Sequence, residues 1–268
     1  MRKATDTIVY DLALEVQNEK FQLLYRYNDK FKPVDNAPIV QGWDKRLCEY
    51  SYAKSKKSNY QQVYQDTTPV IDEIKSITHR YDWHKVVSSD IDGSDLQRLG
   101  ELTKWIFKWG GIKPKDYSQI WKVIKTALTW SDEFGAPMDS GWTKLASFAT
   151  ATLAKEKQQV IWDSRVSHSI TRRLDRLLDE RGIAVCEMKD IGTVPGQGGT
   201  RKKSALKLKW PIGYGKWKFH FAGSRLVHQM VEILNNNQRD FPRMPHPDEG
   251  DVDWDVWGVG LVLFMDGY

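Results

Sequence analysis

Hydrophobic residues recur at helical spacing along most of the chain. Ile8, Leu12 and Val16 begin one apolar face, which predicts a helix over residues 7–27. The same spacing predicts helices over residues 66–79, 94–109, 115–130, 141–155, 163–181, 223–236 and 253–265. Two prolines and mixed polarity predict a surface loop over residues 29–43. The pattern as a whole predicts a mainly α fold.

One segment departs from helical spacing. Residues 205–210 and 216–221 alternate with period two around a Pro-Ile-Gly-Tyr-Gly turn, which predicts a small β-hairpin insert. Four glycines within residues 192–199 predict a mobile loop before it. Residues 201–225 contain no acid, and their basic residues are Arg201, Lys202, Lys203, Lys207, Lys209, Lys216, Lys218 and Arg225. The loop and hairpin, residues 192–221, therefore carry a concentrated positive charge.

The composition is that of a folded protein with a modest positive charge. The chain has 268 residues, of which 40% are apolar, and its 12 Trp, 11 Tyr and 9 Phe require a sizeable core. A disordered chain is therefore excluded. The net charge of +5 and the pI near 9.0 fit either a polyanionic partner such as nucleic acid or a charge that only serves solubility.

Cysteine usage and hydropathy bear on the compartment. Cys48 and Cys186 are too few for a disulfide framework or a four-cysteine metal site. The charge-free run 256–265 is about half of the roughly 20 residues that a membrane-spanning helix needs. The N-terminal stretch carries acids and lacks the apolar core of a signal peptide. We expect a cytoplasmic monomer without a membrane partner.

Several common chemistries lack their motif in this chain. None of the six histidines falls in a His-Glu-x-x-His pair, and there is no phosphate-binding Gly-x-x-x-x-Gly-Lys-Ser/Thr loop. A Gly-x-Ser-x-Gly nucleophile turn is also missing. We therefore predict neither a metal site nor a cofactor.

A lysine and an aspartate stand at the starts of two successive predicted helices. Lys144 lies in the first turns after Gly141, and Asp163 opens the next helix. Two helix N-termini at one cleft raise the local positive potential, which favours a neutral lysine and an ionised aspartate. Such a pair could supply an amine nucleophile. Taken singly, a solvated lysine and an aspartate that caps a helix explain the same residues.

The residues around this pair resemble a known family. Gly141-Trp142-Thr143-Lys144-Leu145-Ala146, followed by Asp163, is similar to the helix-hairpin-helix DNA glycosylases, most closely the 8-oxoguanine branch. The resemblance covers about residues 135–175 and implies one two-lobed helical domain over residues 1–268. It implies that Lys144 attacks C1′ of a flipped nucleotide and forms a Schiff base, with abasic-site lyase activity as a further step. Asp163 would orient the lysine and stabilise positive charge on the sugar.

The resemblance also implies a DNA interface and a base pocket. The partner would be double-stranded DNA that contains a modified base. The implied DNA contacts are Gly141, Thr143, Arg165, Arg201, Lys202, Lys203, Lys207 and Lys209. The implied base pocket is Trp142, Trp162, Trp254 and Trp257. The chain departs from the family at Asp139, which occupies the hairpin turn that normally grips a phosphate and would repel one.

Two other interpretations compete with this resemblance. A tyrosine recombinase is disfavoured, because it needs a His-x-x-Arg motif that this chain lacks. A non-catalytic DNA-binding module would use the basic segment for DNA, with Lys144 solvated and Asp163 acting only as a helix cap. For a glycosylase, both repair and defence against viruses with hypermodified DNA are compatible with the sequence.

Overall fold

A computed structural model describes residues 4–27, 30–33, 36–50, 59–113, 116–185, 188, 190–194 and 206–267. The protein is mainly helical, as the hydrophobic pattern predicts. In the described residues the α-helices are α1 (Ala4–Asn18), α2 (Trp43–Cys48), α3 (Tyr60–Thr78), α4 (Gly93–Trp109), α5 (Ile120–Thr129), α6 (Ser140–Thr150), α7 (Ser164–Arg181), α8 (Trp217–Asn236) and α9 (Val256–Asp266). None of these helices is long and apolar enough to cross a membrane.

Short antiparallel strand pairs flank the helices. β1 (Phe21–Gln22) pairs with β4 (Ile39–Val40), and β2 (Leu24–Tyr27) pairs with β3 (Lys30–Pro33). Near the C-terminus, β5 (Met244–His246) pairs with β6 (Gly250–Val252), with Met244 opposite Val252. These pairs are too small to form a layer of their own, so the core is a helical one.

Side-chain caps fix where several helices begin. Asn59 accepts the Gln62 N–H at the start of α3, and Asp255 accepts the Gly258 N–H at the start of α9. Asp139 and Asp163 cap α6 and α7 in the same way. Each cap satisfies N–H groups that have no partner inside the helix.

Helix α6 is the central element of the core. Every residue from Gly141 to Thr150 is buried. α6 packs against α3, α4 and α5, while α7 packs against α9 and α1. A side chain on α6 can therefore reach solvent only through a cavity, which determines the environment of Lys144.

The prediction of a β-hairpin over residues 205–210 and 216–221 is wrong. The structure describes this segment from residue 206 onwards. Residues 217–221 open α8, and residues 206–216 are irregular apart from one parallel bridge between Ile212 and Thr193. Trp217, His220, Phe221 and Ser224 are all buried along one helical face. The apolar residues of this segment fit the spacing of a helix as well as the alternation of a strand. Their packing in the core favours the helix. Residues 195–199 of the predicted mobile loop lie outside the described residues.

The N-terminal helices also differ from the prediction. α1 ends at Asn18 instead of continuing to residue 27, because the chain turns there into β1. Residues 29–43, predicted as a loop, include β3 and β4 and end at the start of α2, which the pattern missed. α3 begins at Tyr60, six residues before the predicted start, and contains Pro69. Its Asn59 cap and the buried face around Pro69 outweigh the usual preference of proline for a first turn.

A buried ion cluster joins elements that are far apart in the sequence. The Asp266 carboxylate at the end of α9 accepts hydrogen bonds from Arg46 of α2 and Arg173 of α7. Glu19 accepts from the same Arg173, at 2.5 Å, and from Arg172 at 3.0 Å. Arg46 and Arg173 are each only 1% exposed. The cluster thus ties α2, α7, α9 and the residue after α1 together.

We expect Asp266→Asn to lower the free energy of unfolding by about 3–5 kcal/mol at neutral pH, because it leaves buried arginines without their counter-charge. Burial by itself would raise the pKa of Asp266, but the charges of Arg173, Arg172 and Arg46 hold it well below the ordinary 3.8. The stabilisation is therefore complete above that unfolded-state pKa and is lost as the pH falls towards the lower folded-state value.

Urea unfolding at several pH values measures this difference, with the exposed Asp251→Asn as the matched control. The gap between wild type and Asp266→Asn should narrow below about pH 4. A gap that is absent at pH 7 would contradict a stabilising role of the cluster.

Candidate active site

A single open cavity of about 340 Å³ contains both members of the predicted pair. It lies where the residues after α4, the first turns of α6 and α7, and one face of α9 meet. Its wall combines polar and aromatic side chains. The polar ones include Ser140, Lys144, Asp163, Arg165 and Tyr214, and the aromatic ones include Tyr50, Trp109, Trp257 and Phe264.

Lys144 extends from the central helix into this cavity. Its side chain is only 6% exposed, and its Nζ lies 3.7 Å from Asp163 Oδ2. Nζ also donates a hydrogen bond to the Ser140 carbonyl oxygen at 3.3 Å. The methylene chain passes Gly110 so closely that a Cβ at that position would lie 2.6 Å from Lys144 Cδ. The absence of a side chain at Gly110 therefore makes room for the lysine.

Asp163 uses its two carboxylate oxygens for different purposes. Oδ1 accepts the backbone N–H of Arg165 at 2.9 Å and that of Val166 at 3.1 Å, which caps α7. Oδ2 faces the Lys144 amine. The cap fixes the orientation of the carboxylate, so the oxygen that faces the lysine is held in place by the start of the helix. The structural and the chemical interpretations of Asp163 are therefore compatible.

The environment shifts the protonation of the lysine. Burial lowers the pKa of Lys144 below its ordinary value, Asp163 opposes the shift, and the charge of Arg165 adds to it. A lowered pKa increases the neutral fraction of the amine at neutral pH. A neutral amine beside a carboxylate, open to a cavity, can act as a nucleophile.

The backbone N–H groups at the start of α6 are hydrogen-bonded to a residue of the preceding turn. Asp139 Oδ1 accepts the N–H of Gly141 at 2.8 Å and that of Trp142 at 3.3 Å. The Thr143 hydroxyl, fully buried, lies 3.3 Å from the carbonyl oxygens of Ser140 and Trp162. The expected DNA contacts of Gly141 and Thr143 are therefore corrected: the Gly141 N–H is already bonded to Asp139, and the Thr143 hydroxyl lies against the residue that precedes Asp163.

The remaining expected DNA contacts lie in different environments. Arg165 is half-buried in the cavity wall, with its guanidinium 4.4 Å from the centre of the Phe264 ring. Lys207 is exposed and forms an ion pair with Asp179 at 2.5 Å, while Lys209 is exposed on the same segment. Arg201, Lys202 and Lys203 lie outside the described residues.

The expected base pocket is corrected for three of its four tryptophans. Trp142 is 3% exposed, and Trp162 and Trp254 are fully buried in the core. Trp142 packs edge-on against Phe107, and Trp254 against Trp43. Trp257 alone of the four lines the cavity.

Several residues of the cavity wall were not predicted from the sequence. Trp109 is the last residue of α4 and Gly110 follows it, and Trp109 lies near Trp257 with ring centres 6.5 Å apart. Tyr214 comes from the segment that was predicted as a hairpin turn. A Trp-Gly-Gly run at the end of a predicted helix is the only signal that could have pointed to the first two.

No family model, curated protein or solved structure matches this chain. Within the described ranges, no group of three or more His, Cys, Asp or Glu could hold a metal ion.

We expect Asp163→Asn to preserve most of the stability, because the asparagine oxygen can still accept the N–H groups of Arg165 and Val166. The buried Lys144, whose pKa is already lowered, can lose its proton when the carboxylate is removed, which an arginine cannot do. Asp163→Ala removes the cap and should lower the free energy of unfolding by about 1 kcal/mol more. Urea unfolding of both variants tests this expectation. Equal losses in the two variants would show that the charge, and not the cap, carries the structural effect.

Proposed function

We propose that this protein is a DNA glycosylase in which Lys144 is the nucleophile. The observation that carries the proposal is the buried amine 3.7 Å from a capped carboxylate, in the wall of a cavity that is open to solvent. A lysine that only served solubility would extend into water. An aspartate that only capped its helix would need no lysine beside its second oxygen.

The pair suits the electronic demands of breaking a glycosidic bond. Positive charge builds on the sugar as the base departs, and a carboxylate within a few Å stabilises it. The amine attacks C1′ when it is neutral, which the lowered pKa of Lys144 favours. A Schiff base between Lys144 and C1′ follows, and strand cleavage at the abasic site is a further step open to it.

The cavity is large enough to receive a flipped base. Its volume of about 340 Å³ exceeds the roughly 150 Å³ that accommodates a benzene ring. Trp109, Trp257 and Phe264 offer aromatic surface for stacking, and Arg165 and Tyr214 offer polar contacts. We propose a base other than plain 8-oxoguanine, with the hypermodified pyrimidines of viral DNA as the boldest version and defence against such viruses as the role.

The proposal extends to the arrangement of the helices around the site and to DNA as the partner. Helices α6 and α7 would form the catalytic segment of a two-lobed helix-hairpin-helix domain, and the partner would be double-stranded DNA that enters at the cavity. Because Asp139 caps α6, the turn before it does not offer the Gly141 N–H to a phosphate. Phosphate contacts would fall to Arg165 and to exposed lysines such as Lys209.

Borohydride trapping tests the proposed chemistry. We expect borohydride to capture a covalent protein–DNA adduct during excision, because a lysine Schiff base is reducible. Lys144→Gln should abolish both trapping and excision while the affinity for DNA changes little. Asp163→Asn should lower the excision rate by about 100-fold or more. The substrates are duplexes with 8-oxoguanine, uracil, alkylated purines, 5-hydroxymethylcytosine or its glucosylated form.

The results divide the alternatives. Full excision by Lys144→Gln would refute the role of the lysine, and efficient turnover of 8-oxoguanine alone would refute the bulky-base assignment. Salt-dependent binding of duplex DNA with no turnover of any substrate would favour a non-catalytic DNA-binding module.

The position of Lys144 can be tested without removing its amine. We expect Gly110→Ala to reduce trapping at least about tenfold, because the new Cβ would lie 2.6 and 2.7 Å from Lys144 Cδ and Cε and displace the flexible lysine. Gly93→Ala is the matched control, since a Cβ there meets nothing within 4 Å. Single-turnover excision and thermal unfolding measure the effect; unchanged trapping by Gly110→Ala would contradict the required position of the amine.

A further inference from the structure

Tyr214 contributes a phenol to the wall of the cavity that holds the proposed catalytic pair. Ser140 and Asp163, which line the same cavity, are near enough to influence the pKa of this phenol. Ser140 is the first residue of α6, and its carbonyl oxygen accepts the hydrogen bond from Lys144 Nζ. Tyr214 and the lysine amine therefore share Ser140 as a neighbour.

The segment that carries Tyr214 is fixed to the helix that carries Asp163. The Thr193 N–H donates to the Pro211 carbonyl at 2.9 Å, and the Gly213 N–H donates to the Thr193 carbonyl at 2.7 Å. A Cβ at Gly213 would lie 2.8 Å from the carbonyl oxygen of Gly192. The close approach of these two backbones therefore requires glycine at position 213.

Ser167 completes this attachment from one turn into α7. Its hydroxyl donates to the Gly192 carbonyl at 3.0 Å and accepts the Val194 N–H at 3.0 Å. Asp163 begins the same helix. The positions of the phenol and of the carboxylate are therefore both set by α7, while the lysine is set by α6.

The protonation state of the phenol determines what it can offer. A protonated phenol can donate a hydrogen bond, whereas a phenolate cannot. Burial and the nearby charge of Asp163 raise the pKa of Tyr214 far above its ordinary value. At neutral pH the group is an uncharged donor, which does not compete with Asp163 for the lysine.

We propose that Tyr214 is a further catalytic residue, whose hydroxyl donates a hydrogen bond to the departing base. This inference rests on the proposed glycosylase function. As the C1′–N bond breaks, its electron pair moves onto the base, and the donor stabilises the negative charge that develops there. The phenol keeps its proton throughout, so Tyr214 acts as a hydrogen-bond donor and not as an acid.

The proton and electron balance of the reaction is met by the other groups. The lone pair of Lys144 Nζ forms the new bond to C1′ as the bond to the base breaks. One amine proton passes by way of Asp163 to the departing base. The C1′–O4′ bond then opens, O4′ takes a proton from solvent, and a protonated Schiff base remains.

Two reactions of the full-length protein separate base departure from lysine chemistry. The first is single-turnover excision from the duplex of the panel that is excised fastest. The second is borohydride trapping on a duplex with a ready-made abasic site, where no base departs. We expect Tyr214→Phe to slow excision by about 100-fold while trapping on abasic DNA stays within about twofold of wild type.

The matched control is Tyr10→Phe, which removes a hydroxyl that donates to Asp240 at 2.8 Å and is not part of the cavity wall. It should change neither reaction. Excision by Tyr214→Phe at the wild-type rate would overturn the inference, as would equal slowing of both reactions, because that result would assign the hydroxyl to the position of Lys144. If wild type shows no Lys144-dependent trapping on abasic DNA, the proposed function itself is refuted.

Discussion

The site depends on the burial of one amine beside one carboxylate. Moving an ammonium group out of water costs several kcal/mol unless an opposite charge compensates it, so burial and Asp163 act on Lys144 in opposite directions. The balance leaves the lysine with a lowered pKa and a partner at 3.7 Å. Because Asp163 also caps α7, its carboxylate cannot turn away without exposing two N–H groups at the start of the helix. A structural requirement thus maintains a chemically useful geometry.

The remaining fold holds the elements that meet at this pair. α9 supplies Trp257 and Phe264 to the cavity wall, and the buried charge of Asp266 fastens its end to Arg46 and Arg173. The Thr143 hydroxyl, close to the Trp162 carbonyl oxygen, keeps the start of α6 next to the residue before Asp163. The segment of Tyr214 reaches the same place through Ser167. The cavity is therefore the point where several independently anchored elements meet.

Local sequence rules account for much of the fold. The apolar spacing located α4, α7 and α9 to within a few residues, because a capping aspartate precedes each helix and buried apolar residues recur along it. The rules failed at residues 216–221, where aromatic residues suit both an alternating and a helical period. They failed again at Trp142, Trp162 and Trp254, which are buried in the core. The sequence around a tryptophan does not show whether its side chain lines a cavity or fills the core. The glycosylase resemblance itself stays a proposal.

The sequence by itself determined the helical class of the protein, since helix caps and apolar spacing are local properties of the chain. Lys144 and Asp163 were predicted from the resemblance of the residues around them, and the structure places Lys144 Nζ 3.7 Å from Asp163 Oδ2. Only the tertiary structure decided which groups surround this pair. Gly110 and Tyr214 come from distant parts of the chain, and their approach to the lysine depends on packing. The tertiary structure also determined how much of the positive charge of residues 201–225 is neutralised. Lys207 forms an ion pair with Asp179 and Lys218 with Asp190, and both aspartates lie outside this segment. Cavities and charge pairs depend on distances through space, which the order of residues along the chain does not contain.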